Sequence, residues 1–285
     1  MTTRGTTRRR GLRAAAPTAI AAALLALALA ACGSAAQPAK TAQPGTSSSA
    51  ARPQPPARLG GVTMNDPVPD SIMRMSLTTA SGQRTTLAAY RGKIVMIADF
   101  LTLCQDMCPM ITANVLSVAR QVKAAGLGGK VALLEITVDP ERDTPARMAA
   151  YQKLFGGPQE DMTLLTAGTA DATATLWKYF HVWYERTAEA ADSDGTDWMT
   201  GEKLTFDVEH SNTIIFLSPD GRQRYIADAA ADSRTNPPPK SLVDFMTREG
   251  RNNLYHPDPA GSWNAQEALQ VLGWLAGREI PAASP

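Results

Sequence analysis

Cysteine and histidine are both scarce in this chain, three of each among 285 residues. That scarcity leaves too few thiols for a structural zinc site closed by four cysteines. An excess of charge of one sign is missing too. Lys and Arg number 28 against 27 Asp and Glu, for a net charge of +1. Beyond the N-terminus there is no long basic block, which disfavours nucleic acid as a partner. No internal repeat is visible. The one long apolar run, Ala14 to Ala31, is dominated by alanine and only about as long as the minimum for a spanning helix, so a stable transmembrane anchor is disfavoured.

What is present at the N-terminus has a definite grammar. Arg4, Arg8, Arg9, Arg10 and Arg13 precede or open the apolar run, no acidic residue interrupts them, and small residues close it at Ala30-Ala31. A charged stretch, an apolar stretch and small residues are the parts of a secretory signal. Leu29-Ala30-Ala31-Cys32 resembles the bacterial lipoprotein box. That resemblance implies that residues 1–31 are a lipoprotein signal peptide and that Cys32 is the lipidated first residue of the mature chain. Residues 32–60 are mostly Ala, Pro, Gln, Ser and Thr with almost no large apolar side chain. Such a segment buries too little surface to offset its ordering entropy and is expected to be a disordered tether. The remainder, 61–285, is expected to form one domain of about 225 residues, enough for a full core. These features together place the domain at the cell membrane, lipid-anchored and facing the extracytoplasmic side.

Within the domain, Ile94 to Phe100 is a nearly continuous apolar run that predicts a buried strand. From Pro109 onwards Ile111, Val115, Val118 and Val122 recur at helical spacing, and Gly126 supplies a stop. Val131 to Val138 predicts a second buried strand. Pro145 opens a helix that runs to Phe155, Met162 to Thr166 is a short strand, and Thr169 to Phe180 is a further helix. The stretch from Asp192 to Gly201 reads as a surface insertion ahead of a strand near Leu204 to Val208. Thr213 to Leu217 and Gln223 to Ala227 predict a hairpin around Ser218-Pro219-Asp220-Gly221, and Asn264 with Glu267 caps a terminal helix. A strand–helix–strand start with short connections makes a right-handed crossover in a parallel sheet. The expected class is α/β, with a central sheet flanked by helices.

If Cys32 carries lipid, Cys104 and Cys108 are the only thiols left. A close pair in an oxidising compartment is a structural disulfide, a redox couple or a soft-metal site. A bridge closing so short a loop stabilises little, so chemistry is favoured. At the first turn of a helix the two side chains share a face, with Cβ atoms roughly 6 Å apart, and the helix N-terminus favours thiolate. Two thiolates and one imidazole suit Cu(I) in a three-coordinate site, and Cu(II) also accepts them. Three histidines could supply the imidazole. His210 is expected in a loop just before the Thr213 strand, close to the cysteines if that strand neighbours the first. His181 reads as a core histidine and His256 as a surface or turn residue. Position alone leaves the choice open.

The stretch Phe100 to Pro109, with its Cys-x-x-x-Cys-Pro, resembles the signature of the Sco/SenC family. Val138-Asp139-Pro140-Glu141-Arg142-Asp143-Thr144-Pro145 is similar to that family's second block, and Val208-Glu209-His210-Ser211 with Pro219-Asp220-Gly221 to its third. The similarity runs from about Gly61 to Ala227 in the family's order. The family usually has Pro where Gln105 stands, and commonly Asp where Glu209 stands. The resemblance implies a thioredoxin-like fold, copper held by Cys104, Cys108 and His210, and a part in building the CuA centre of cytochrome c oxidase. The implied partners are the copper-bearing oxidase subunit, together with an upstream copper donor or thiol reductant. The segment 237–285 lies outside the resemblance, and no chemistry is assigned to it.

Two functions follow. One is a metallochaperone that binds copper and delivers it, which is not an enzyme. The other is a thiol–disulfide oxidoreductase that uses Cys104 and Cys108 as its redox pair. The spacing of three residues between the cysteines, and His210-Ser211-Asn212 where catalytic thioredoxin-like proteins place a proline, favour copper. Asp106 is a candidate for tuning the site from its edge, weighed equally against a solvated loop acid. Asp139 is a second such candidate, for which turn chemistry is slightly preferred. Met107 and Met110 are expected to pack rather than ligate. The aromatic cluster Trp177, Tyr179, Phe180, Trp183 and Tyr184 is expected to cap the core.

Overall fold

The computed structural model describes residues 54–55, 59–158, 162–189 and 195–281. The expected signal peptide, Cys32 and nearly all of the expected tether lie outside the described residues. In chain order the elements are β1 (Val62–Pro67), α1 (Asp70–Met73), β2 (Leu77–Thr79), β3 (Arg84–Thr85), β4 (Ile94–Phe100), α2 (Cys108–Ala124) and β5 (Val131–Thr137). They continue with α3 (Pro145–Leu154), β6 (Met162–Thr166), α4 (Ala170–Tyr179), β7 (Tyr184–Thr187), β8 (Asp207–His210), β9 (Thr213–Leu217) and β10 (Arg222–Asp228). The chain closes with β11 (Ala230–Ala231), α5 (Lys240–Phe245), α6 (Arg248–Tyr255), β12 (Ser262–Trp263) and α7 (Ala265–Ala276).

The main sheet has eight strands in the order β1-β10-β9-β4-β5-β6-β2-β3. β4 and β5 are buried at every residue, as continuous apolar runs covered on both faces must be. They pair in parallel, joined by α2, and β6 pairs in parallel with β5. β9 runs antiparallel to β4, and β10 antiparallel to β9. This strand, helix and parallel strand followed by an antiparallel hairpin and a last helix is the thioredoxin-like arrangement.

Local chemistry sets the element ends. In α2, Pro109 occupies the first turn, where its missing N–H costs nothing. Gly126 takes φ +68°, ending the helix in a conformation that L side chains rarely adopt. Ile111, Val115, Val118 and Val122, the helical stripe read from sequence, are each 1% exposed or less, and full burial of such side chains is worth about 1.5–3 kcal/mol apiece. Thr144 and Thr169 cap α3 and α4 with their hydroxyls. Asn264 and Glu267 complete a capping box on α7.

Some expectations change. The strand expected near Leu204 to Val208 lies further on, at β8, because it pairs with β7 rather than extending the main sheet. The described part of the expected surface insertion is anchored. Asp197 is buried against Arg147, and Trp198 donates its indole N–H to the Thr102 carbonyl at 2.7 Å. His181 is not in the core. It is exposed at φ +59°, where it ends α4, while Val182 N–H reaches back to the Trp177 carbonyl at 3.0 Å. Trp183 also leaves the core cap, at 53% exposed.

Candidate metal centre

The site forms where β4 hands over to α2. Cys108 is the first residue of α2, and Cys104 lies in the preceding loop. The two therefore do not share a helical face as expected. Instead the Cys104 Sγ sits over the helix end and accepts the Cys108 N–H at 3.3 Å. The Cys108 Sγ accepts the Leu101 N–H at 3.5 Å. Both cysteines are buried and free.

The register of β9 brings the third group. With Ala98 opposite Ile214, Thr213 falls beside Asp99, and its N–H donates to Asp99 Oδ1 at 2.7 Å. His210 ends β8 immediately upstream, so its ring swings over the cysteines. Its Nδ1 lies 2.6 Å from Asp99 Oδ2 and 2.6 Å from the Ser211 carbonyl oxygen. Facing two acceptors, Nδ1 carries a proton, and Nε2 is aimed at Cys108 Sγ, 3.2 Å away. One donor atom from each of Cys104, Cys108 and His210 lies within 4.8 Å of the others. His181 and His256 are exposed and do not join them.

The electrostatics are those of a linked set. The hydrogen bond from Cys108 is the largest influence on Cys104; with help from His210 it outweighs burial and holds that thiol well below its usual range. Burial, then the neighbouring Cys104 sulfur, pushes Cys108 up. Burial alone would lower His210, but Asp99 and Cys104 outweigh it and hold the ring well above the ordinary imidazole value. Burial raises Asp99, against the pull of His210. Where water is largely excluded these groups thus govern one another's protons, with Cys104 drawn toward thiolate and the His210 ring toward its protonated form. Two sulfurs and a nitrogen so arranged can clasp a soft ion, or present a nucleophilic thiolate.

The open side is a cleft of about 280 Å³ whose lining includes Asp106, Met107, Trp183, Asp207, Glu209 and Thr247. A slightly larger cleft, about 350 Å³ beside α7, holds none of the cysteines or histidines, so size alone would misplace the site. Asp106 does border the centre, and burial followed by the charge on Cys104 pushes its carboxyl up to about 6. Asp139 behaves as turn chemistry. Its carboxylate pairs with Arg142, and its N–H donates to Thr137 Oγ1 at 2.9 Å. Met107 Sδ accepts the Ala231 N–H at 3.2 Å, while Met110 is buried in the core.

Sequence reading passed over Asp99. Its signal was legible, since an acid inside Ile-Val-Met-Ile-Ala-Asp-Phe must have a buried partner. The contribution of 237–285 left no comparable signal. Thr247 N–H donates to the Gln105 carbonyl at 2.9 Å, so α6 abuts the cysteine loop.

Comparisons with known proteins identify the family. Residues 66–236 match the family described as SCO1/SenC. The Protein SCO2 homolog, mitochondrial, of Bos taurus is 34% identical over 146 residues, which is 51% of this chain and 49% of that protein. The Protein SCO1 homolog, mitochondrial, of Homo sapiens is 27% identical over 146 residues, 51% of this chain and 44% of that protein. The chain thus spans about half the length of the curated relatives it matches. Among solved structures, Arabidopsis thaliana ScoI with copper bound is 22% identical at a TM-score of 0.43, covering 67% of this chain and 99% of that one.

Proposed function

The chain belongs to the SCO1/SenC family, and on that premise we propose that it is a copper metallochaperone for the CuA site of cytochrome c oxidase. Copper is its cargo, received by Cys104, Cys108 and His210 and passed to the oxidase subunit by ligand exchange. The observation that carries the reading is the convergence of two sulfurs and one imidazole nitrogen within 4.8 Å. Metal–donor bonds of about 2.0–2.3 Å let two donors stand at most roughly 4.6 Å apart across one ion, so the donors need only a small approach. Zinc in a structural site takes four protein ligands, and among the described residues the grouping offers three. The softness of the thiolates suits Cu(I), which a set of three donors satisfies. Asp99 holds the imidazole from behind, as carboxylates do for metal-bound histidines.

The described residues contain no helix long and apolar enough to cross a membrane. Attachment through lipid on Cys32, with the domain at the extracytoplasmic face, is part of the proposal. It rests on the sequence of the first residues.

One observation favours a second reading, a thiol–disulfide oxidoreductase acting on the oxidase subunit's cysteines. Cys104 is held toward thiolate, the form that attacks a disulfide. In that reaction the dithiol becomes a disulfide and its two electrons and two protons leave with the target as two thiols.

Copper titration of the chain beside Cys108→Ser and His210→Ala separates these readings. The proposal expects tight copper binding that both variants lose. Retention by His210→Ala would remove the three-ligand assignment, and preference for zinc over copper would end the copper reading. Turnover on a disulfide substrate without copper binding would establish the oxidoreductase instead.

A further inference from the structure

The segment 237–285 lies past the family match, which ends at residue 236, yet its helix α6 bears on the loop between the two cysteines. Besides the Thr247 N–H bond to the Gln105 carbonyl at 2.9 Å, the Thr247 hydroxyl lies 3.3 Å from Asp106 Oδ1. Gly250 packs against the same stretch. A Cβ there would meet the Gln105 carbonyl oxygen at 2.5 Å and Asp106 Cα at 2.9 Å. Glycine weakens a helix relative to alanine, and backbone-to-backbone approach this close is what only glycine permits.

We propose that α6 is a positioning clamp: Thr247 and Gly250 hold the Cys104–Cys108 loop in an open dithiol geometry that takes up metal and resists closure to a disulfide. Cys108 is fixed at the start of α2, so bringing the sulfurs to the bonding distance of about 2.05 Å requires Cys104 to move. The residues that must follow it, Gln105 and Asp106, are the ones α6 grips. The metal half of the proposal rests on the copper reading, whereas the redox half rests on the thiols alone. Oxidation by glutathione disulfide defines that half. Two thiols form one S–S bond, and their two electrons and two protons leave with two molecules of reduced glutathione.

The test compares the full chain with Gly250→Ala and Thr247→Pro. Thr247 has φ −60° and Met246 ψ 149°, so proline fits that backbone while removing the N–H donor. Thr247→Ala keeps the N–H and serves as its companion, and Leu272→Ala in the buried face of α7 reports general destabilisation. Equilibration in glutathione buffers is expected to show both clamp variants about tenfold more oxidised, near 30 mV more negative. Thr247→Ala should shift less than Thr247→Pro, and Leu272→Ala should not shift. Copper competition should show about tenfold weaker binding in the clamp variants. Unchanged potentials in both clamp variants, a shift toward harder oxidation, or an equal shift in Leu272→Ala would overturn the clamp. A wild-type chain that takes no copper but whose clamp variants shift in potential keeps the clamp and loses the copper reading.

Discussion

The Asp99 carboxylate and the His210 ring, far apart in sequence, are joined by a contact of 2.6 Å between Oδ2 and Nδ1. That bond sets which ring nitrogen faces the cysteines, because Nδ1 is turned to the carboxylate and Nε2 is left toward Cys108 Sγ. Asp99→Asn keeps the shape but loses the charge that orients the ring. Copper affinity is expected to fall roughly 10–100-fold while both thiols remain, as competition with a chromophoric copper chelator would show. Equal affinity would mean the carboxylate does not orient the ligand.

Glu135 is buried in β5 beneath α2, with Thr112 donating to Oε2 at 3.2 Å and no partner at Oε1 among the described residues. Burial pushes its carboxyl up to about 8 from an ordinary 4.5. A raised folded value means the proton is held more tightly in the fold. The stabilisation it brings is complete below about pH 4.5 and is lost as pH rises through about 8, on the order of a few kcal/mol in all. Glu135→Gln cannot titrate, so its Tm should decline less between pH 5 and pH 8 than that of the wild type. Calorimetry at the two pH values decides the matter, and parallel declines would refute it.

Arg147 and Asp197 form a largely buried fork, with Nη1 2.9 Å from Oδ1 and Nη2 on Oδ2. Asp197 also accepts the Met199 N–H at 2.8 Å. Asp197→Ala leaves the guanidinium uncompensated and the turn without its acceptor, at an expected cost of about 2 kcal/mol or more. Urea denaturation measures this. A change within a few tenths of a kcal/mol would show that the pair is screened by solvent.

Trp198 packs at a tilt against Tyr151, ring centroids 6.1 Å apart, and its indole donates to the cysteine loop at the Thr102 carbonyl. Trp198→Phe retains most of the packing and deletes the donor. A loss of about 1 kcal/mol is expected, with faster hydrogen exchange in residues 101–107. Unaltered exchange there would show the indole to be incidental to the loop.

Several elements were legible because short-range rules specify them. Ile94 to Phe100 and Val131 to Val138 read as buried strands, Asn264 with Glu267 marked a helix start, and the close cysteine pair pointed to redox or soft-metal chemistry. His181 was misjudged because apolar neighbours describe the sequence around a residue and not the direction of its side chain. Its left-handed backbone at the end of α4 turns it outward. Trp183, in the same apolar stretch, is also turned out and lines the cleft.

By itself the sequence determined the chemistry on offer: two thiols, their place at a strand-to-helix junction, and a family pattern naming His210 as their partner. Only the tertiary structure decided how those groups meet. Pairing of β4 with β9 laid Asp99 beside Thr213 and so turned His210 onto the cysteines. Packing of α6 against Gln105 and Asp106 brought an unrecognised C-terminal segment to the same loop. Periodicity and capping act within a few residues and can be read along the chain. Strand register and helix docking are settled by burial among residues a hundred or more apart, and no local pattern records them.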